Sequence, residues 1–311
     1  MLADIEISLR QRENQMTEFN PLSPVLVLGG AMAEAELRLP QLPRSAQPQA
    51  ATAQQQQVGG SAFRVAGLLR QLDVPVINGM PVGNGPWAAA IATAMNTLNL
   101  PVLLHHGQMD NGWRLTLTGE NGEHSVITVA GCETQWNKAQ LATLPLTPET
   151  LLYLNGDPLT GESGEVLREW LTRLPYDQWR LLAPGPQLEQ LGEDFFAMLS
   201  DSHTLLSLDR QETALLCGAG NAVEVAQRYA AAHNISLICR LAEEGVWICS
   251  GKSAPQHCAL DAASGAEALD NVDAHCAGLL AGLSAGWTLP QAVELANRVA
   301  AGTLPYPPAV V

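Results

Sequence analysis

Short apolar runs alternating with stretches of helical periodicity restrict this chain more than any other feature. Residues 25–28, 74–78, 102–105, 151–155, 180–183, 204–208 and 236–240 read as strands. Residues 87–98, 136–144, 164–174, 188–199 and 222–233 carry apolar side chains at helical spacing between them. Strands that alternate with helices of this length predict a mostly parallel sheet with helices on both faces. The first run, Val25-Leu26-Val27-Leu28-Gly29-Gly30, is apolar throughout, as a strand covered on both faces must be. Such sheets bind ligands beyond the carboxyl ends of their strands.

One segment breaks the alternation. From Trp113 to Val129 apolar and polar residues alternate with period two around Asn121-Gly122, which predicts an antiparallel hairpin. A lone hairpin is marginal in water and needs a partner. Residues 35–58, broken by Pro40, Pro43 and Pro48 and ending in Gln54–Gln57, read either as linker or as edge strand. The extended reading makes them that partner, in a small sheet able to close over a site.

From Ala274 to Ala285, Ala and Gly recur at helical spacing, and Leu279, Leu280 and Leu283 complete an apolar helix. It is expected to be buried on all sides, with neighbouring backbone close to its flat face. Asp273 stands at its start, where the amides and the positive dipole end point outward. There it serves either as an N-cap or as a functional carboxylate beside an anion. Gly59-Gly60 precede a second helical stretch, for which Ser61 is the expected cap.

The 311 residues suffice for one large α/β domain or two smaller ones. A formal charge of −15 disfavours nucleic acid and anionic membrane as partners and leaves a small molecule. Six scattered cysteines without metal spacing read as reduced thiols. The acidic start lacks the bases of a secretory leader, so the expected location is the cytoplasm, with residues 1–23 a mobile extension. A P-loop is missing; Gly218-Ala-Gly220 follows a helix and reads as a turn; His105-His106 lacks a third ligand and reads as structural.

Several motifs, taken in order, resemble the ribokinase-like (PfkB-type) carbohydrate kinases. They are Gly59-Gly60 with its helix, Val82-Gly-Asn-Gly-Pro-Trp87, Asn111-Gly-Trp113, Asp209-Arg-Gln-Glu212, Arg240-Leu-Ala-Glu-Glu-Gly245 and Asp273-Ala-His-Cys-Ala-Gly278. Gly131-Cys-Glu-Thr-Gln-Trp-Asn137 is similar to a stretch in an uncharacterised bacterial sugar-kinase branch. The resemblance implies a three-layer α/β/α domain over residues 24–311, its β-sheet lid drawn from about 35–58 and 111–131. It implies phosphoryl transfer from ATP to a hydroxyl of a sugar or nucleoside, with Asp273 as general base and the backbone at Asn271 and Val272 as anion hole. Glu34, Gly59, Gly60, Arg64 and Glu133 are then substrate residues. Asp209, Arg240 and Gly245 contact the nucleotide, and Glu212 supports Mg2+ through water. The exposed lid edge allows a homodimer.

The chain departs from the family pattern at several of these points. Asp270 and Val272 stand where glycines open the anion hole, and a carboxylate ~5 Å from a phosphate charge costs about 3 kcal/mol at a dielectric near 20. Glu34, Arg64 and Asp209 replace a family Asp, Asn and Asn, and Ala183 and Gln187 replace a polar pair. Pro305-Tyr-Pro-Pro308 ends the chain where relatives continue through a further helical region. The alternative expectation is therefore an impaired member that binds a sugar or nucleotide without turnover.

Overall fold

The structure, a computed structural model, describes residues 18–44, 48–260 and 269–302. In chain order the strands are β1 (Val25–Leu28), β2 (Met32–Leu39), β3 (Ala53–Gly59), β4 (Val76–Gly79), β5 (Pro81–Val82), β6 (Leu104–His105) and β7 (Trp113–Gly119). They continue with β8 (His124–Val129), β9 (Leu151–Asn155), β10 (Arg180–Ala183), β11 (Thr204–Asp209), β12 (Ser236–Arg240), β13 (Val246–Ser250) and β14 (Gln256–Cys258). The helices are α1 (Ser61–Gln71), α2 (Pro86–Thr97), α3 (Lys138–Leu141), α4 (Gly161–Thr172) and α5 (Leu188–Met198). After them come α6 (Arg210–Cys217), α7 (Ala222–His233), α8 (Val272–Ser284) and α9 (Leu289–Ala300).

Eight strands form the main sheet in the order β14-β13-β12-β11-β10-β9-β1-β4. Pairing is parallel from β4 across to β12 and antiparallel only at β13 and β14. Successive strand residues face opposite layers. Val25, Val27 and Tyr153 join the core under α1, α2, α8 and α9, whereas Leu26, Leu28 and Leu154 join the one under α4, α5 and α7. The expected three layers are therefore present, and all six cysteines are free thiols, five of them buried.

A second sheet, β3-β2-β7-β8, carries the predicted hairpin on residues 32–59 as expected. Its two faces differ in chemistry. Ala33, Ala35, Leu115, Ile127 and Val129 share one face by register, while Glu34, Glu36, Arg114, Thr116 and Gln57 share the other.

Four expectations need correction. Residues 102–105 give no core strand: Leu103 is 40% exposed beside buried Leu104, and β6 pairs only with β5, outside the main sheet. The helix expected over 136–144 is the single turn α3: Asn137 caps its start with bonds from the Ala139 and Gln140 amides, and tighter turns from Thr143 to Gln140 and from Leu144 to Leu141 end it ahead of Pro145. Helices α6 and α9 and strands β13 and β14 were not among the predicted elements. The extension 1–23 is in part fold: Leu22 and Ser23 donate to the Ser284 carbonyl at 3.1 and 3.2 Å, and Phe19 meets Trp287 edge-on at 5.4 Å. Residues 1–17 and 303–311, with Pro305–Pro308, lie outside the described residues.

Helix α8 is the buried element the small residues predict, with ten of its thirteen residues buried. A Cβ on Gly278 would come within 2.6 Å of the Ala296 Cα, and one on Gly282 within 2.7 Å of the Ala292 Cα. The flat face thus lets α9 pack backbone to backbone, which fixes the end of α8 that carries Asp273.

Candidate active site

A cavity of about 400 Å³ lies between the lid's polar face and the carboxyl ends of β1, β9 and β10. Gly30, Asn155 and Gln187 come from those strand ends, Ser61 and Arg64 from α1, and Met32, Arg114 and Thr128 from the lid. Beyond Arg64 and Arg114 it continues for about 230 Å³ along Glu36, Gln55, Gln57 and Thr116. Thr134 and Asp157 also open into a wider groove of about 860 Å³ past Lys138 and Glu169, whose lining holds no group bonded to Asp273.

Asp273 reaches this cavity through its neighbours. It is not the N-cap of α8; Asn271 is, accepting the Ala274 amide at 3.3 Å. The Asp273 side chain, 17% exposed, instead accepts a short hydrogen bond from Ser61 at Oδ1 and faces Arg64 Nη1 at 3.7 Å from Oδ2. Ser61 in turn lies 3.0 Å from the Tyr153 hydroxyl. Its one proton goes to Asp273, so Tyr153 donates to Ser61. Ser61 is thus a positioning group for Asp273, and Gly60 is the N-cap of α1 without a side-chain bond. Burial raises the Asp273 carboxyl above the usual range; Ser61 and Arg64 oppose the rise and the charge of Glu34 adds to it. Burial also pushes the Tyr153 phenol well above its ordinary value, which keeps it a neutral donor.

The lid closes the network. Arg64 Nη2 donates to both oxygens of Glu34 at 2.8 and 2.7 Å, and Gln57 donates to the same carboxylate at 3.0 Å. Arg64 therefore bridges Glu34 of β2 and Asp273 of α8. Gly59 and Gly60 make room for this approach: a Cβ on Gly59 would sit 2.2 Å from the Glu34 carboxyl carbon, and Gly60 holds φ +100° with its Cβ position 2.5 Å from the Gly30 carbonyl. Glu133 lines the cavity, yet its oxygens accept the Gly112 and Gly131 amides at 2.8 Å each. Both ends of the β7–β8 hairpin are pinned by that one buried carboxylate. Asn111, also buried, bonds the Gly83 amide and the carbonyls of Ala31 and Pro81.

The residues expected to meet the nucleotide instead hold the backbone. Asp209 caps α6, with its Oδ1 accepting the Glu212 amide at 2.7 Å while Glu212 accepts the Asp209 amide at 2.7 Å. The Asp-x-x-Glu motif is therefore a capping box, in which an Asp replaces the Asn without loss of the bond. Burial raises the Glu212 carboxyl, against the Asp209 amide and the Arg240 charge. Arg240 is buried rather than presented to a ligand: it donates to Ser207 at 3.2 Å and to the Leu269 carbonyl at 2.8 Å, and lies 3.7 Å from Glu212. It anchors the segment that leads into α8. Gly245, at φ +72°, closes the tight turn between β12 and β13. Residues 261–268 lie outside the described residues.

At the start of α8 the first intrahelical bond runs from His275 N to Asn271 O, so the amides of Val272 and Asp273 precede the hydrogen-bonded ladder. Asp270 is exposed. Among the described residues no three of His, Cys, Asp and Glu converge as metal ligands. Magnesium ordinarily keeps waters and takes its other ligands from phosphate oxygens. Glu212 has Oε2 bonded to the Asp209 amide, so it would meet such an ion only through water.

Sequence reasoning missed Ser61 as a contact of Asp273, Tyr153 behind it and Arg114; Asn111, placed by its motif at the opening of the hairpin, was found without its bonds. Tyr153 had a signal: a tyrosine among leucines in a central strand must find a partner for its hydroxyl.

Residues 23–307 match the pfkB family carbohydrate kinase domain. The uncharacterised sugar kinase YegV of Escherichia coli K12 is 33% identical over 259 residues, covering 78% of this chain and 76% of that protein. Among solved structures, Arabidopsis thaliana ribokinase complexed with ribose and ATP superposes with a TM-score of 0.68 at 16% identity, over 90% of this chain and 92% of that one. Cryptococcus neoformans ribokinase in complex with ADP gives 0.67 at 18% identity, over 88% and 90%. Both share this fold.

Proposed function

Because the chain belongs to the pfkB family of carbohydrate kinases, we propose that it transfers the terminal phosphoryl group of ATP to a hydroxyl of a sugar or nucleoside held beneath the lid. The observation that carries this reading is Asp273: a carboxylate at the first turn of a buried helix, oriented by Ser61 and Arg64, both of which line the cavity. Burial keeps its proton affinity above that of a solvated Asp, which suits a general base. With Oδ1 occupied by Ser61, Oδ2 is the atom that accepts the proton of the attacking hydroxyl.

The Val272 and Asp273 amides and the positive end of the helix dipole stabilise negative charge developing beside them. A magnesium ion bound with the nucleotide would neutralise phosphate charge, with Glu212 acting on it only through water. Asp270 is exposed, so its charge is screened and the penalty expected from sequence shrinks, which favours the active enzyme over the impaired binder. Among the described residues no helix is long and apolar enough to cross a membrane. The reading places the enzyme in the cytoplasm, where ATP is at hand.

The test is ADP release with Mg2+, ATP and a panel of sugars and nucleosides. Asp273→Asn is expected to lower turnover by about 10²–10⁴-fold while ligand binding persists. Ligand-induced thermal shifts without ADP from any panel member would reject the kinase in favour of the binder. A homodimer through the lid is a second part of the proposal, supported by the apolar lid face on which Ile127 and Val129 are 48% and 42% exposed. Sedimentation at micromolar concentration is expected to show a dimer, and a monomer refutes that part.

A further inference from the structure

Arg114 is the one guanidinium at the cavity whose charge the protein leaves largely unused. It lies opposite Glu34 and Thr128 in the lid and lines both the cavity and its extension. Its Nε is shut off from water with no hydrogen-bond partner. Its nearest acid, Glu34, stands 3.9 Å from Nη1, beyond hydrogen-bond reach. Glu34 is already taken at 2.7–3.0 Å by Arg64 and Gln57.

The other acids on the walls are engaged elsewhere: Glu36, along the extension, accepts from Thr118 at 3.3 Å and faces Arg38 at 3.7 Å. Asp157 accepts from Gln187 and Asn155, and Glu133 from two backbone amides. The pocket is therefore polarised, with Asp273 behind Ser61 and Arg64 on one side and the weakly paired guanidinium of Arg114 on the lid side. In a chain of net charge −15, such a cation beside a ligand cavity stands out.

We infer that the substrate carries a carboxylate, bound by Arg114, so that the compound phosphorylated is a sugar acid. With Nη1 turned towards Glu34 and Nε shut off from the solvent side, Nη2 is the nitrogen left to donate a charge-assisted bond to a ligand carboxylate. A phosphate group has the same basic attraction, but its second charge would sit beside Glu34 with Arg64 already committed, so the monoanion is the better match. This assignment rests on the kinase reading for the hydroxyl at Asp273, whereas the anion contact at Arg114 stands apart from it.

Isothermal titration with five- and six-carbon aldonates and uronates, each paired with its aldose and the aldose phosphate, tests the contact directly. ADP release in parallel tests the chemistry. At least one acid is expected to bind about tenfold or more tighter than its aldose, because only the acid makes the charge-assisted bond to Arg114. Arg114→Gln is expected to erase that ratio and Arg114→Lys to retain part of it, with circular dichroism confirming that both variants fold. Acid selectivity without ADP would sink the kinase reading and leave the anion contact at Arg114 standing. The inference is overturned if no acid binds, if aldoses or aldose phosphates bind as well as the acids, or if Arg114→Gln leaves the ratio unchanged.

Discussion

Replacing Arg64 by Gln removes the only cation facing the proposed base among the described residues. Arg64 Nη1 lies 3.7 Å from Asp273 Oδ2, and at an effective dielectric near 20 that pair is worth at most about 4.5 kcal/mol. Divided by 1.36 kcal/mol per unit, this ceiling is about 3 pKa units. The side chains are only 28% and 17% exposed, so solvent removes part of the effect and not most of it. The sign follows from charge: the guanidinium favours the ionised carboxylate, so its loss raises the Asp273 pKa, and Glu34, deprived of its closest partner, adds to the rise. A base works only when deprotonated. The acidic limb of the kcat/KM profile for the sugar is therefore expected to move up by about 1–3 pH units, measured by ADP release between pH 4 and 9. A limb that stays in place or moves down would refute the coupling, and with it the assignment of Asp273 as the titrating base.

Other expectations follow from the same network. Glu133→Gln leaves one of two buried lid-hinge amides without an acceptor, which is expected to cost about 1–3 kcal/mol in urea unfolding and to speed proteolysis of the hairpin. Gly278→Ala places a Cβ 2.6 Å from the Ala296 Cα, and the forced separation of α8 from α9 is expected to cost about 1–3 kcal/mol, read as a lower urea midpoint. The His275 pKa is lowered to about 3, first by burial and then by Arg240, so the folded protein refuses a proton that the unfolded chain takes up below its ordinary value of 6.5. Wild-type stability therefore falls with pH below that point, and His275→Leu is expected to reduce the fall by up to about 1.4 kcal/mol per pH unit in urea midpoints compared at pH 7.5 and 5.

Much of the architecture was legible because it is written in local periodicity. Strands β9, β10 and β12 and helix α7 fall at their predicted bounds, since runs such as Leu151–Asn155 have a single arrangement that hides both faces. The Asn121-Gly122 hairpin and the small-residue helix were readable for the same reason. Elements with weaker patterns were not. Helix α6 begins at a capping box whose residues the family motif had claimed for the nucleotide, and α3 is too short to carry a period.

Within the site, side-chain types were visible from sequence while their commitments were not. Glu34, Arg64 and Asp273 stand 30 and 209 residues apart along the chain, and nothing local to any of them shows that they meet. Ser61 carries the local signature of a cap; the arrival of α8 turned it towards Asp273. Arg240 and Glu133 carry charges that sequence reasoning assigned to ligands, and burial turned both to the backbone.

Sequence alone determined which segments become strands and helices, where a tight turn sits, and that a carboxylate opens a buried helix, because these depend on residues within a few positions of one another. Tertiary structure alone decided which charges are spent inside the protein and which are left for a ligand. A guanidinium such as that of Arg64 or Arg114 is satisfied or left unpaired by groups that only the folded chain brings within a few ångströms, and over that distance electrostatic energy changes steeply.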